Sequence, residues 1–260
     1  MIRGMYDVVS GAINHQMRLQ VLANNLSNIN TVGFKEDRAS FGSSLYARSD
    51  DIRGKSGESV VAGNPEPSVP YIPFNSDLTF QGTRTDFSPG LLKKTGNPLD
   101  FAISGNGFFC VKTPDGIHYT RKGSFSLNQD GLLVTQEGFP VMGDGGEIQI
   151  DSLEFVVDNK GNVWTGEQQA GSMKIVDFPQ PYAMKKTGNT LFALVGQETK
   201  EVKAEEFKIN QGVVEMSNVN SIRVMTEMIE VQRAFESYQK VIQTIDSITM
   251  KKANEVGRLA

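Results

Sequence analysis

Near the C-terminal end of the chain Val224, Met228, Val231, Phe235, Tyr238, Ile242 and Ile245 follow one another in alternating steps of four and three. Thr249 and Lys252 interrupt the series before Val256 and Leu259 resume it. Sustained for about five heptads, this spacing sets an apolar seam on one face of a long helix. A shorter series opens the chain: Ile2, Met5, Val9, Ala12, Gln16, Leu19, Ala23 and Leu26, broken only by Gln16. At 1.5 Å per residue the first helix spans roughly 40 Å and the second roughly 60 Å. Two such seams, one at each end of the chain, can cover each other if the chain returns to its start, so the spacing predicts an antiparallel pair.

Between the helices the pattern changes to β. The stretch GFFCVKTPDGIHYTRKGSFSLNQDGLLVTQEGFPVMG breaks into short runs of Phe, Val, Tyr and Thr. Pro-Asp-Gly, Lys-Gly, Gln-Asp-Gly and Glu-Gly separate these runs at the spacing of hairpins. LEFVVDNKGNVWTG reads as a further hairpin turning at Asn159-Lys160-Gly161, and GSMKIVDF and LFALVG add strands. Residues 49–73 are polar and rich in Gly and Pro, the composition of an extended connection. The expected class is therefore α+β: discontinuous terminal helices forming an antiparallel coiled coil around a central all-β body. The boundaries are 1–34 with 217–260 for the helical domain, 35–80 for the linker and 81–216 for the β body, as one domain or two divided near 150, at Leu153.

Composition excludes several functions. The 260 residues are 38% hydrophobic, enough for a packed core, and 30 acidic against 26 basic side chains leave a net charge of -4 without a basic block. No nucleic-acid partner is expected for such a surface. Cys110 is the lone cysteine, so neither an intrachain disulfide nor a thiolate metal cluster is possible. It alternates with Phe108 in a strand pattern and reads as a small buried hydrophobe. His15 and His118 lack metal-ligand spacing. Residues 126–137 place Ser126, Asn128, Asp130, Gly131 and Glu137 at EF-hand positions, but strand sequences flank them where helices are required, so Gln-Asp-Gly reads as a turn. The glycines of SGNGFF and GDGG lack the order and spacing of a phosphate loop. No catalytic residue, metal or cofactor is expected. The N-terminal stretch lacks the apolar region of a cleaved secretory signal, and no segment has the roughly 20 apolar residues of a membrane span, so no membrane insertion is expected.

Ser-Asn-Ile-Asn at 27–30 sits where the first helical pattern stops, and Ser-Asn-Val-Asn at 217–220 sits just before the second begins. Asn suits left-handed helix ends and Ser or Asn suits N-caps, so helix capping alone accounts for both motifs. Gly33 reads as a stop, with Phe34 tucking the exiting chain against the helices.

ANNLSNINTVGFK at 23–35 closely resembles the N-terminal signature of the bacterial flagellar axial proteins, the rod, hook and hook-junction family. NPLDFAISGNGFFCV resembles the family's central motif, YTRKGSFSLNQDGLLVTQEGFPVMG the hairpin region after it, and GVVEMSNVNSIRVMTEMIEVQRAFESYQKVIQ the C-terminal helix signature. Together with TGNTLFAL these stretches span nearly the whole chain in the family's order, and a length near 260 resembles the rod proteins rather than the longer hook protein.

The resemblance implies a structural subunit whose terminal helices line an export channel, with β domains outside. It also implies self-assembly with neighbouring rod and hook proteins in the basal body within the periplasm, and export by the flagellar type III apparatus without a cleaved signal. It further implies assembly roles for Asn24, Asn25, Leu26, Asn28, Asn30, Thr31, Gly33 and Phe34, and for Ser217, Asn218, Val219 and Asn220. Met225, Ile229 and Val241 lie off the heptad seam and suit contacts with neighbours, or packing on the chain's own β body. With those faces uncovered, the termini are expected to order only on assembly. Without the resemblance, a β-domain binding or adhesin-like module tethered by a helical coil is the alternative. A tethered binder needs no paired helices carrying matched motifs at opposite ends of the chain.

Overall fold

The computed structural model describes residues 2–43, 78–150, 154–195, 201–204 and 206–256. Two long helices bracket the strands: α1 (Ile2–Ser27) and α2 (Ser221–Val256). Between them run β1 (Asp37–Ser43), β2 (Leu78–Thr85), β3 (Leu92–Lys94), β4 (Phe101–Gly105), β5 (Phe108–Thr113), β6 (Gly116–Thr120), β7 (Phe125–Leu127), β8 (Leu133–Thr135), β9 (Met142–Gly143) and β10 (Gly146–Glu147). They continue as β11 (Val156–Val157), β12 (Asn162–Thr165), β13 (Gln168–Ser172), β14 (Ile175–Asp177), β15 (Met184–Gly188), β16 (Leu191–Leu194), β17 (Val202–Lys203), β18 (Phe207–Gln211) and β19 (Val213–Glu215). The α+β class expected from the spacing is the one observed.

The chain forms two compact units, Met1–Asn24 with Asp37–Arg84 and Ile222–Ala260, and Asn25–Glu36 with Thr85–Ser221. In the first, the helices touch along an antiparallel path. Arg18 lies 3.7 Å from Glu227, the His15 and Tyr238 ring centres are 5.3 Å apart, and a Cβ on Gly11 would meet the Tyr238 ring at 2.7 Å. Tyr238 thus seats where α1 has no side chain. On α2 the expected seam is observed: Val224 and Val231 are buried, Met228, Phe235, Tyr238, Ile242 and Ile245 half-buried, and Thr249 exposed. The side chains of Lys252, Val256 and Leu259 lie outside the described residues.

On α1 the phase differs from the expected one. Ala12, Leu19 and Leu26 face inward as read, but Val8, His15 and Leu22 share that face, whereas Val9, Gln16 and Ala23 are exposed. Met5, Val9 and Ile13 make a second apolar stripe on this helix, so spacing alone fits two faces. Of the segment expected as a linker, residues 44–77 lie outside the described residues. Its ends form the β1–β2 ribbon, closed by an edge-to-face contact of Phe41 with Phe80.

In the second unit an antiparallel six-stranded sheet runs in the order β15-β16-β6-β5-β14-β17. β5 is buried on both faces. Phe109 and Val111 join a cluster with Phe101, Leu133, Val163 and Ile209, while Phe108 and Cys110 join Tyr119, Val176, Phe178 and Phe192. The alternation of Phe108 with Cys110 places the thiol as its sequence pattern predicts. The break placed near Leu153 falls at 151–153, outside the described residues, and strands from both sides of it share this sheet.

Two turns use one device. Asn128 Oδ1 accepts from the amides of Asp130 and Leu132, and Asp158 Oδ1 from those of Lys160 and Asn162, with Gly131 and Gly161 at positive φ. The first joins β7 to β8, so the EF-hand-like stretch is a hairpin turn; the second joins β11 to β12 as expected. Lys122-Gly123 departs from expectation. It closes no hairpin: the Gly123 carbonyl accepts from Phe101 N at 2.8 Å, and a Cβ there would meet the Phe101 carbonyl. This glycine serves close backbone approach rather than chain reversal.

Candidate functional site

The helix α1 ends at Ser27 without a left-handed asparagine. Asn28 N donates to Asn25 O and Thr31 N to Asn28 O, bonds of i to i+3 type that tighten the chain into a turn, while Thr31 Oγ1 donates to Asn28 Oδ1. Among the described residues only Asn189 and Thr190 are non-glycine with positive φ, so the expected αL role of the asparagines is not used. Asn25 is fully buried, Leu26, Asn28 and Thr31 half-buried, and Asn24 and Asn30 exposed.

Gly33 then reverses the chain at φ 70°, and its amide donates to Glu215 O at 2.7 Å. A Cβ here would sit 2.4 Å from Lys122 N. The residue is glycine for two reasons, its left-handed backbone and a neighbouring strand end with no space to give.

Each residue after Gly33 is held by a different part of the same unit. Phe34 is buried with the Lys186 ammonium 4.0 Å above its ring, and Lys186 also donates to Lys35 O. Lys35 Nζ donates to Glu215 Oε1 at 2.6 Å and to Ser88 O at 2.8 Å. Glu36 N donates to Asn218 Oδ1 at 2.7 Å. The Asn218 amide nitrogen donates to Asp86 O, Ser88 O and Ser88 Oγ. This side chain therefore spans two chain segments instead of capping α2, as capping chemistry alone suggests. Ser217 Oγ accepts from Val219 N; Val219 is half-buried, and Asn220 is exposed immediately before α2.

Glu215 sits at the centre. Register places it opposite Leu92 at the end of the β3–β19 ribbon. Besides Lys35, Oε1 accepts from Gly90 N at 2.9 Å, and Oε2 lies 3.4 Å from Arg121 Nη1. Arg121 Nη2 donates to Gly105 O, and its guanidinium stacks 5.2 Å from the centre of Phe108. Lys35 and Glu215 are each 1% exposed and Arg121 5%. Burial pushes the Lys35 ammonium below its usual range, the attraction of Glu215 offsets part of this, and Arg121 adds to the lowering. Such a cluster offers nothing to a substrate in solution. Chemically it ties together segments that lie up to 180 residues apart in sequence.

The matched motifs in the sequence bring the exit of α1 and the entry of α2 to one place, but they do not point to Lys35, Ser88, Gly90, Arg121, Lys186 or Glu215. A signal existed for two of them. Lys35 ends the first motif region and Glu215 precedes the second, an opposite-charge pair flanking matched motifs. Met225, Ile229 and Val241 stand elsewhere, exposed on α2.

Other titratable groups are structural in their contacts. Burial pushes the Cys110 thiol up to about 12. Tyr119 Oη donates to Glu201 Oε1 at 2.6 Å and Lys174 Nζ to Glu201 Oε2 at 2.7 Å, which ties Glu201, just ahead of edge strand β17, to the sheet. The His15 imidazole is lowered by burial and then by Arg18. No helix among the described residues is long and apolar enough to cross a membrane.

Comparison with known proteins covers both the ends and the body. Three family profiles match: flagella basal body rod protein at 5–35, flagellar hook protein FlgE/F/G D1 domain at 102–165, and flagellar basal body rod FlgEFG protein C-terminal at 210–256. The chain is 34% identical to the flagellar basal-body rod protein FlgG of Bacillus subtilis, over 98% of this chain and 99% of that one. It is 32% identical to the flagellar hook-basal body complex protein FlhO of the same organism and 31% to the flagellar basal-body rod protein FlgF of Caulobacter vibrioides, over the whole of each chain.

Proposed function

This chain belongs to the flagellar basal-body rod protein family, and from that premise we propose that it is a proximal rod subunit of the F type, built into the shaft that carries torque from motor to hook. It is a structural protein of the flagellum. Its terminal domain, 1–34 with 217–260, packs its two helices as an antiparallel coiled coil and, with those of neighbouring subunits, lines the export channel, while the β body 81–216 stands outside. Delivery is by the flagellar type III apparatus without a cleaved signal, and the assembled position is periplasmic. Self and neighbouring rod and hook proteins are the partners.

The observation that carries this reading is the pair of helices. Each buries one face, yet Met5, Val9 and Ile13 on α1 and Met225, Ile229 and Val241 on α2 are exposed. Apolar residues left over on paired helices are what a helical assembly covers with the next subunit. Asn24, Asn25, Leu26, Asn28, Asn30, Thr31, Gly33, Phe34, Ser217, Asn218, Val219 and Asn220 act by setting the path of the chain between helix and body.

The F type is favoured by EGFPVMGDGGEIQI running directly into further β structure; the length and FESYQKVIQTID suit the distal G type. Mass spectrometry of purified hook-basal bodies, with immunogold labelling of the β body, tests both levels. Label close to the inner-membrane ring is expected. Label near the hook junction moves the subunit to the distal rod, and absence beside other detected rod proteins overturns the structural role.

A further inference from the structure

We propose that Glu215 is a shared counter-ion that makes the docking of the two ends of the body segment conditional on each other, so that neither the exit of α1 nor the entry of α2 is held firmly without the other. The device lies wholly within the unit formed by Asn25–Glu36 and Thr85–Ser221, and it does not depend on which rod position the subunit takes.

Three observations carry it. First, two buried cations share one carboxylate: Lys35 at 2.6 Å and Arg121 at 3.4 Å both meet Glu215, and Asp86 adds a weaker attraction on Lys35. Removing Glu215 takes the nearest carboxylate from both cations and leaves Lys35 only the weaker pull of Asp86, whereas removing Lys35 leaves Arg121 and Glu215 as a balanced pair. Second, the carboxylate and its own backbone serve both ends. Glu215 O accepts from Gly33 N, Oε1 from Gly90 N, and the same residue is paired with Leu92 just before α2 begins. Third, neutral bonds run in parallel with the charged ones. Asn218, three residues further on, accepts from Glu36 N and donates to Asp86 O and Ser88. Each end therefore completes the partners of the other, and loss of one leaves buried polar groups on both.

The consequence is cooperative closing. A chain whose N-terminal exit is undocked keeps Glu215 and Asn218 without their full set of donors, so the root of α2 stays loose until residues 33–36 arrive.

Hydrogen exchange read by mass spectrometry on the full chain tests this, because Gly33, Glu36, Gly90 and Met216 amides each donate within the cluster. In Glu215→Gln, exchange at 33–36, 90 and 213–216 should accelerate together, by about a hundred-fold. Amides of β5 in the core should keep their rates. Lys35→Met added to Glu215→Gln should slow exchange relative to Glu215→Gln alone, since it removes one of the two cations. Independent docking of the two ends predicts the opposite: the double variant exchanges faster than either single one, and Lys35→Met opens 33–36 only. Either result overturns the proposal. Should Glu215→Gln fail to fold, Asn218→Ala, which removes no charge, must still open 36, 86–90 and 215–218 jointly; opening of residue 36 alone refutes the coupling.

Discussion

Replacing Gly33 by alanine separates the two reasons for that glycine. At φ 70° an added Cβ costs about 1–2 kcal/mol in left-handed strain, less about 0.4–1 kcal/mol gained by stiffening the unfolded chain. Gly96 provides the matched control, with φ 77° and nothing within 4 Å of its would-be Cβ. Gly96→Ala should therefore cost about 0–1.6 kcal/mol. At Gly33 the Cβ would stand 2.4 Å from Lys122 N and 2.6 Å from Arg121 C, both backbone atoms that cannot swing aside. Relieving that overlap costs about 1–3 kcal/mol as overpacking, and pulling the Gly33 amide off Glu215 O costs about 1 kcal/mol more. The expected excess of Gly33→Ala over Gly96→Ala is thus about 2–4 kcal/mol. Trp164, the single tryptophan and half-buried on β12, reports urea unfolding of this unit. With a slope of about 2 kcal/mol per molar, the midpoints should differ by about 1–2 M. Equal midpoints would refute the claim that close approach to residues 121–122, and not φ alone, selects glycine here.

Three further outcomes follow from the same structure. Cys110, buried with its thiol pushed up to about 12, should react with a thiol reagent at pH 8 only as fast as the sheet opens, so its rate should track denaturant-induced unfolding; rapid reaction in the native state contradicts its placement. Burial raises the Glu201 carboxyl, but hydrogen bonds from Lys174 and Tyr119 outweigh this and hold it below its usual range. Its contribution to stability is therefore present above the unfolded carboxylate pKa and lost as pH falls through the lowered folded value, so Glu201→Gln should flatten the acid limb of the stability curve below about pH 5. Val231→Ala, at a position 4% exposed, should destabilise the helical unit as assembled by about 2 kcal/mol, read as a lowered melting temperature of basal bodies, whereas Met225→Ser should leave thermal unfolding of the subunit within about 0.5 kcal/mol of the parent and weaken incorporation into basal bodies.

How much of this was legible in the sequence depends on whether an element is decided locally. The seam of α2 was readable because its apolar residues fall on one stripe, and Val224 and Val231 are buried where the spacing put them. α1 carries two stripes, Met5-Val9-Ile13 and Val8-Ala12-Leu19-Leu22, and its partner chooses between them: Tyr238 seats on Gly11 and beside His15. No count along α1 contains that information. Turns set by Asn128 with Gly131 and by Asp158 with Gly161 were legible, since their bonds close within four residues. Gly123 was not, because its neighbour Phe101 is far away in sequence. The same reason hid Lys35, Arg121 and Glu215. Charged residues 86 to 180 positions apart read as surface until the fold brings them into one buried cluster.

The most direct test of the structural role is a density map of the rod in purified basal bodies at a resolution that separates helices. The helices α1 and α2 of this chain are expected as the innermost layer around the channel, with Met225, Ile229 and Val241 buried against the neighbouring subunit and the β body outside. A rod whose lumen is lined by the β body, or in which that face of α2 meets no neighbour, would contradict it.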